Sequence, residues 1–283
     1  MFASLAALAL AAGPASIAEW QSQCAGKDGW SDPAPPVRIH GNTYNVGTCG
    51  IVVLLITGPK GHVLIDGATA QAVPSIAANV ARLGYRMRDV GWLLNSHEHV
   101  DHAGGLAGLK RLSGARLAAR TPAVRVLTTG KVDWADPQFG LIDPIAPVRV
   151  DRVVKDGEQV RSDGLKLTAH ATPGHTDGGT SWSWRSCQAK SCVRIVFADS
   201  ISAVSRDGYR FTDHPERVAP FRATFAHLAA LDCDLLVSPH PAASNLIERL
   251  AGKAPLFNRG GCSAYAAMGR ANLDKRLARE AKK

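Results

Sequence analysis

The chain has 283 residues, 46% hydrophobic and 20% charged, which supplies ample material for a sizeable core and excludes a disordered or fibrous composition. Its formal charge is +9, but the Lys and Arg residues are scattered. The densest run, residues 275–283, sits beside Asp274, contains Glu280 and reads as a solvated helix end, which argues against a nucleic-acid-binding protein.

Residues 1–18 stand apart. An apolar run over residues 5–12 is too short to span a bilayer and leads into Ser16-Ile17-Ala18, a small-x-small pattern that suits signal peptidase. Residues 1–18 therefore read as a secretion signal and 19–283 as one mature domain, against the alternative of a buried N-terminal helix. A basic n-region is missing beyond the amino terminus. No later stretch is long enough for a transmembrane helix, so no membrane anchor is expected after signal removal.

Residues 49–57 form a continuous apolar, β-branched run that predicts a buried strand, followed by a turn at 58–61 and a second strand at 62–66. Helical spacing over 70–83 ends at Gly84. Another buried strand, 90–94, delivers the chain into Asn95-Ser96-His97. A helix is expected over 101–112 with Gly104 and Gly105 in its first turn, then a strand at 116–119 and a helix at 121–129. From 148 to 171 the pattern changes to short strands with turns at Asp156-Gly157 and Asp163-Gly164. Strands at 180–184 and 193–198 flank a cysteine loop. Helices at 215–231, 244–250 and 262–280 and a strand at 235–238 complete the chain. Strands and helices thus alternate in both halves, which fits two packed sheets with helices outside.

The six cysteines are Cys24, Cys49, Cys187, Cys192, Cys233 and Cys262, with no C-x-x-C pair. An even count behind a secretion signal favours disulfides. Proximity points to a Cys187–Cys192 clip across a hairpin loop; the sequence leaves the remaining pairings open.

The segment His97-Glu98-His99-Val100-Asp101-His102 carries the chemistry. In an extended or turning segment residues 97, 99 and 101 point to one side. Imidazole and carboxylate suit Zn²⁺. Four such groups in six residues are too many for one open site that also needs distant ligands, and they fit two adjacent metals better. His175, in Thr172-Pro173-Gly174-His175-Thr176, and His240, in Ser238-Pro239-His240-Pro241, follow predicted strands and complete the set. His40, His62, His170, His214 and His227 lack such settings and read as structural. A zinc-bound water has its pKa lowered to about 7, so the implied reaction is metal-assisted hydrolysis. A Gly-x-Ser-x-Gly elbow, a P-loop and a dinucleotide fingerprint are all absent from the sequence.

Residues 95–102, Gly174-His175-Thr176 and Pro239-His240 resemble the metallo-β-lactamase superfamily. Phe197-Ala198-Asp199-Ser200-Ile201-Ser202-Ala203, Ser238 to Asn245, Gly208-Tyr209 and the cysteine positions are similar to class B, subclass 3 metallo-β-lactamases. The resemblance covers nearly the whole mature chain. It implies an α/β fold, an αβ/βα four-layer sandwich of two mixed β-sheets flanked by helices, with two zinc ions. It assigns His97, His99 and His175 to the first zinc and Asp101, His102 and His240 to the second. Ser200 and Ser202 would contact the antibiotic's carboxylate, and the pairs Cys24–Cys49, Cys187–Cys192 and Cys233–Cys262 would be disulfides.

The implied function is a periplasmic, monomeric, zinc-dependent β-lactamase in which hydroxide held by zinc attacks the amide of penicillins, cephalosporins and carbapenems. In it Asp101 orients the nucleophile. Its partner is a small-molecule β-lactam, with no nucleic acid. Gln138, in a loop over the site, is a further candidate for substrate contact. A thioesterase or lactonase on the same scaffold is the alternative, since scaffold does not fix substrate. It would follow if Asp199, rather than Ser200, faced the metals. A non-catalytic zinc module would require saturated coordination. Glu98 stands where the family more usually has a small residue, and reads as an outward, solvated side chain.

Overall fold

The computed structural model describes residues 13–282; residues 1–12, with most of the expected leader, lie outside the described residues. Gly13 N donates to Arg82 O at 2.8 Å and Ala15 bridges Val37. Helix α1 (Ile17–Cys24) begins where Ser16 Oγ accepts from Glu19 N at 3.1 Å, the side-chain cap that its orphan N–H groups require. The expected cut after residue 18 falls within this helix.

The first half of the chain builds one sheet. Strands β1 (Val37–His40), β2 (Thr43–Asn45), β3 (Leu54–Thr57) and β4 (His62–Ile65) run as an antiparallel meander. Helix α2 (Val73–Arg82) then crosses over to β5 (Val90–Leu94). Helices α3 (Val100–Ala103) and α4 (Leu106–Ser113) lead to β6 (Arg116–Arg120), and α5 (Thr121–Thr129) precedes β7 (Arg152–Val154). β4 to β7 pair in parallel, as strands joined through helices must. The strands lie in sequence order, β1 to β7.

The second half builds the other sheet, in the order β12-β11-β10-β9-β8. Strands β8 (Gln159–Ser162), β9 (Leu165–Ala171), β10 (Thr180–Gln188) and β11 (Ser191–Phe197) are antiparallel. After helix α6 (Pro215–Ala230), strand β12 (Leu235–Val237) pairs parallel to β11. Helices α7 (Leu246–Leu250) and α8 (Gly261–Glu280) close the chain.

Alternation along the strands sorts the core into layers. Leu55, Leu64, Leu93 and Leu117 pack outward with Ile76, Val80, Leu106, Leu109 and Leu127 of the helices. Leu54, Ile56, Val63, Ile65 and Leu94 point the other way and meet Leu167, Trp182, Trp184, Ile195 and Phe197 of the second sheet. Val196 and Leu236 pack under Phe221, Phe225, Tyr265 and Leu273 of α6 and α8. The result is the expected αβ/βα four-layer sandwich of two mixed sheets flanked by helices.

Three details differ from the expectations. Of the strand predicted at 49–57 only β3 pairs within the sheet; Val52 N instead donates to Pro239 O at 2.7 Å, across to the segment that carries His240. The helix predicted over 101–112 is broken between α3 and α4, because the backbone here presses on the loop after β4: a Cβ on Gly105 would lie 2.1 Å from Gly67 O. β1, β2 and α1 are additions. Three disulfides, Cys24–Cys49, Cys187–Cys192 and Cys233–Cys262, use all six cysteines. No helix among the described residues is long and apolar enough to cross a membrane.

Candidate metal centre

Each candidate ligand follows the C-terminal end of a strand. The chain leaves β5 into residues 95–102, β9 into His175, β11 into Asp199 and Ser200, and β12 into His240. The ends of both sheets therefore contribute to one cluster. Ligand atoms of His97, His99 and His175 lie within 4.8 Å of one another, with their ring centroids 4.8–4.9 Å apart. Beside them, Asp101 Oδ2 is 3.0 Å from His102 Nε2, His102 Nε2 is 3.2 Å from His240 Nε2, and His240 Nε2 is 3.4 Å from Asp101 Oδ2. Two ligands of one tetrahedral ion with bonds of about 2.0–2.1 Å stand roughly 3.3 Å apart. The second trio has that spacing without adjustment.

The outward nitrogens of four rings face acceptors. His97 Nδ1 meets Asp199 Oδ1 at 2.8 Å, His99 Nε2 meets Asp136 Oδ2 at 2.9 Å, and His175 Nδ1 meets the carbonyl of Ser202 at 2.8 Å. His102 Nδ1 faces Asp66 Oδ2 at 3.4 Å. Asp66 is in turn fixed by Ser96, whose N and Oγ donate to it at 2.6 and 2.7 Å. For His97, His99 and His175, with the outward nitrogen protonated and held, the inward nitrogen keeps its lone pair for a cation, the arrangement expected of metal-binding histidines. His97 Nε2 is buried with no hydrogen-bond partner in the protein.

The electrostatics agree. Burial, with the neighbouring His102, His175 and His99, holds the pKa of His97 well below its ordinary value. Burial and His99 push half-buried His175 down to about 3. Both stay neutral and free to ligate. Burial opposes charge on Asp101 and His102 as well, but there the pairing wins: His102 and His240 hold the Asp101 carboxyl below its usual range, and Asp101 with Asp66 lifts His102 to about 10. The two carboxylates make this corner attract positive charge, as a divalent ion requires. The donor set and the orphaned His97 nitrogen thus fit bound metal.

Asp199 faces away from the cluster centre. Its Oδ1 accepts from His97, its N donates to Ser181 Oγ at 2.9 Å, and its carbonyl accepts from Tyr265 Oη at 3.2 Å. Its Oδ1 therefore supports a ligand from behind, while its Oδ2 lies beside Gly179, buried without a hydrogen-bond partner. Burial pushes its carboxyl pKa well up. Ser200 beside it is buried, whereas Ser202 is exposed and holds His175 through its carbonyl. Gln138 lies at the cluster's edge, its Nε2 3.5 Å from His99 Nδ1 and its backbone N donating to Asp136 Oδ1 at 2.7 Å. The 133–139 loop is tied to the segment after β11 by Arg206 N, which donates to Pro137 O at 2.9 Å.

Glu98 corrects the sequence reading. It is buried, 7% exposed, and its carboxylate accepts from Thr176 Oγ1 at 3.0 Å and Gly178 N at 3.1 Å. An outward, solvated side chain is excluded, because alternation of the segment turns Glu98 under the His175 loop. Gly178 is part of the fit: a Cβ there would come within 2.3 Å of the Glu98 carboxylate. Two residues were missed, Asp66 and Asp136. Each is an aspartate beside a recognised element, Asp66 at the end of the predicted 62–66 strand and Asp136 two residues before Gln138, but their ring partners are distant in sequence.

Residues 46–188 match the profile of the Metallo-beta-lactamase superfamily. The fold is similar to the metallo-β-lactamase MIM-1 from Novosphingobium pentaromativorans, with a TM-score of 0.91 and 48% identity over 93% of this chain and 98% of that one. It is also similar to MEM-A1, a subclass B3 metallo-β-lactamase from a soil metagenome library, with a TM-score of 0.86 and 41% identity over 90% of this chain and 99% of that one. A hydroxyacylglutathione hydrolase of Anaeromyxobacter dehalogenans is 28% identical over 66% of this chain and 60% of its own length. The chain spans about half the length of the curated relatives it matches.

Proposed function

The chain belongs to the metallo-β-lactamase superfamily, alongside its subclass B3 members, and on that footing we propose that it is a secreted, zinc-dependent β-lactamase that opens the amide ring of penicillins, cephalosporins and carbapenems. The observation that carries this reading is the position of Asp199. A thioesterase- or lactonase-like site would place that aspartate between the two ligand trios, and here it sits behind His97.

His97, His99 and His175 would hold one zinc, and Asp101, His102 and His240 the other. Bound zinc supplies Lewis acidity, polarising a carbonyl and bringing the ionisation of water to about pH 7. The protein's own groups do the rest. Asp101, kept ionised by His102 and His240, accepts a hydrogen bond from the attacking water and aims its lone pair at the lactam carbonyl carbon. As the C–O bond forms, the C–N bond breaks and the nitrogen takes up the proton that the attacking water gives up. Ser200, Ser202 and Gln138 hold the substrate carboxylate and carbonyl while this happens. With divalent ions held there the site would carry positive charge, and together with the chain's net charge of +9 this favours an anionic substrate. Three disulfides suit an oxidising compartment such as the periplasm.

Turnover of nitrocefin and a carbapenem is expected to vanish on chelation and to return with added Zn²⁺. Full activity after zinc removal sinks the proposal. Faster turnover of a lactone or a glutathione thioester than of any β-lactam moves the assignment to the thioesterase and lactonase branch.

A further inference from the structure

A second group of metal-capable side chains lies apart from the centre described above, on the outer side of the second sheet. His170 is near the end of β9, His227 is in the last turns of α6, and Asp156 is in the turn between β7 and β8. One ligand atom from each lies within 4.8 Å of the others. We propose that Asp156, His170 and His227 form an auxiliary site for a divalent transition-metal ion of the zinc class.

The two imidazoles meet nitrogen to nitrogen, with His227 Nε2 3.4 Å from His170 Nδ1. That is at the long end for a hydrogen bond between two rings. It matches the roughly 3.3 Å between two ligands of one tetrahedral zinc. The other nitrogen of His170 is already engaged: Nε2 lies 2.8 Å from Ser183 Oγ on β10. In the tautomer that donates Nε2–H to Ser183, Nδ1 presents its lone pair to His227. This is the orienting contact that metal-binding histidines use. Burial and then His227 push His170 down to about 4, so protons do not compete for it near neutrality.

Asp156 brings the negative charge. Its Oδ1 accepts from Ala171 N at 2.7 Å, which pins the turn against the end of β9. Arg194 on β11 faces His170 and opposes a cation, but its guanidinium is engaged with Asp232 at 3.3 Å. Asp156 is exposed and both histidines are half-buried, so a water can complete four-coordination and the ion can enter from solvent. Two imidazoles and one carboxylate suit Zn²⁺, and Cu²⁺ more tightly still.

An ion here would join α6 to β9. Helix α6 already meets the link that follows β9 one turn earlier, where Thr224 Oγ1 donates to Pro173 O at 2.6 Å. Pro173 lies in the short link from β9 to His175. The auxiliary ion would therefore brace the strand end that carries a ligand of the main centre, without touching that centre.

The test counts zinc in the full chain. Wild-type and His227→Gln proteins are equilibrated with the same micromolar free Zn²⁺, and bound metal is measured by mass spectrometry. Wild type is expected to hold one more zinc per chain than the variant, while kcat/KM for nitrocefin agrees within twofold. The difference stands whatever number the main centre holds, so failure here and failure of the lactamase reading are distinguishable. Equal zinc in the two folded proteins overturns the site. Should His227→Gln not fold, crystals of wild type grown with Zn²⁺ and measured at the zinc absorption edge decide alone. An anomalous peak bonded to Asp156, His170 and His227 supports the site, and its absence overturns it.

Discussion

Asp101→Asn is expected to lower kcat for β-lactam hydrolysis by about 10²–10⁴-fold, the range seen when a group that handles the reacting proton is lost. The substitution keeps the shape but removes the charge that two imidazoles are arranged around. Asp101 Oδ2 stands 3.0 Å from His102 Nε2 and 3.4 Å from His240 Nε2. In the variant the amide can still fill the space, so the fold persists. It offers a weaker acceptor to the water and a poorer ligand to a cation. KM is expected to change far less than kcat, because on the proposed reading the substrate carboxylate is held by Ser200 and Ser202. Steady-state kinetics at saturating zinc separate the two effects. Near-normal kcat there removes Asp101 from its role.

The second large effect is expected at Glu98→Ala. Glu98 touches no candidate substrate, yet it underlies the loop from His175 to Gly178. Removing it orphans the Thr176 hydroxyl and the Gly178 N–H, each at about 1–3 kcal/mol for a buried donor, and opens a void below them. A fall in melting temperature of about 5–10 °C follows for a chain of this size. Loss of the support behind a ligand loop also typically weakens metal affinity by about 10–100-fold. Activity measured at limiting zinc should therefore collapse, while excess zinc restores much of kcat. That recovery distinguishes a positioning residue from one that takes part in the reaction. An unchanged melting temperature with unchanged zinc affinity contradicts this account.

Local signals decided what could be read from the chain itself. The strand at Val90–Leu94 and the helix at Thr121–Thr129 appear with the expected bounds, because an unbroken apolar run and a Pro-started helix before Gly130 are complete within a few residues. The H-x-H-x-D-H spacing likewise holds four metal-capable groups in one turn of chain. What escaped depends on distant partners. Helix 101–112 breaks because Gly105 packs on Gly67, a contact that periodicity does not encode. β1 and β2 are too short to show alternation, and they are strands only because β3 offers a ladder. Glu98 was misread for the same reason: a carboxylate is assumed to face water until a hydroxyl and an amide some eighty residues away are seen to enclose it. Asp66 and Asp136 gain their roles only through rings brought to them by the fold.

The candidate ligands come from both halves of the chain, His97 to His102 after the first sheet's β5, and His175 and His240 after the second sheet's β9 and β12. An ion held there is thus a reversible rivet between two separately built sheets. The denatured chain keeps only the compact 97–102 segment together, so it competes poorly for metal, and zinc at a thousandfold excess over its dissociation constant adds about 4 kcal/mol to the native state. An organism that starves its surroundings of zinc would then strike twice, removing the Lewis acid and lengthening the odds against the protein surviving until metal returns.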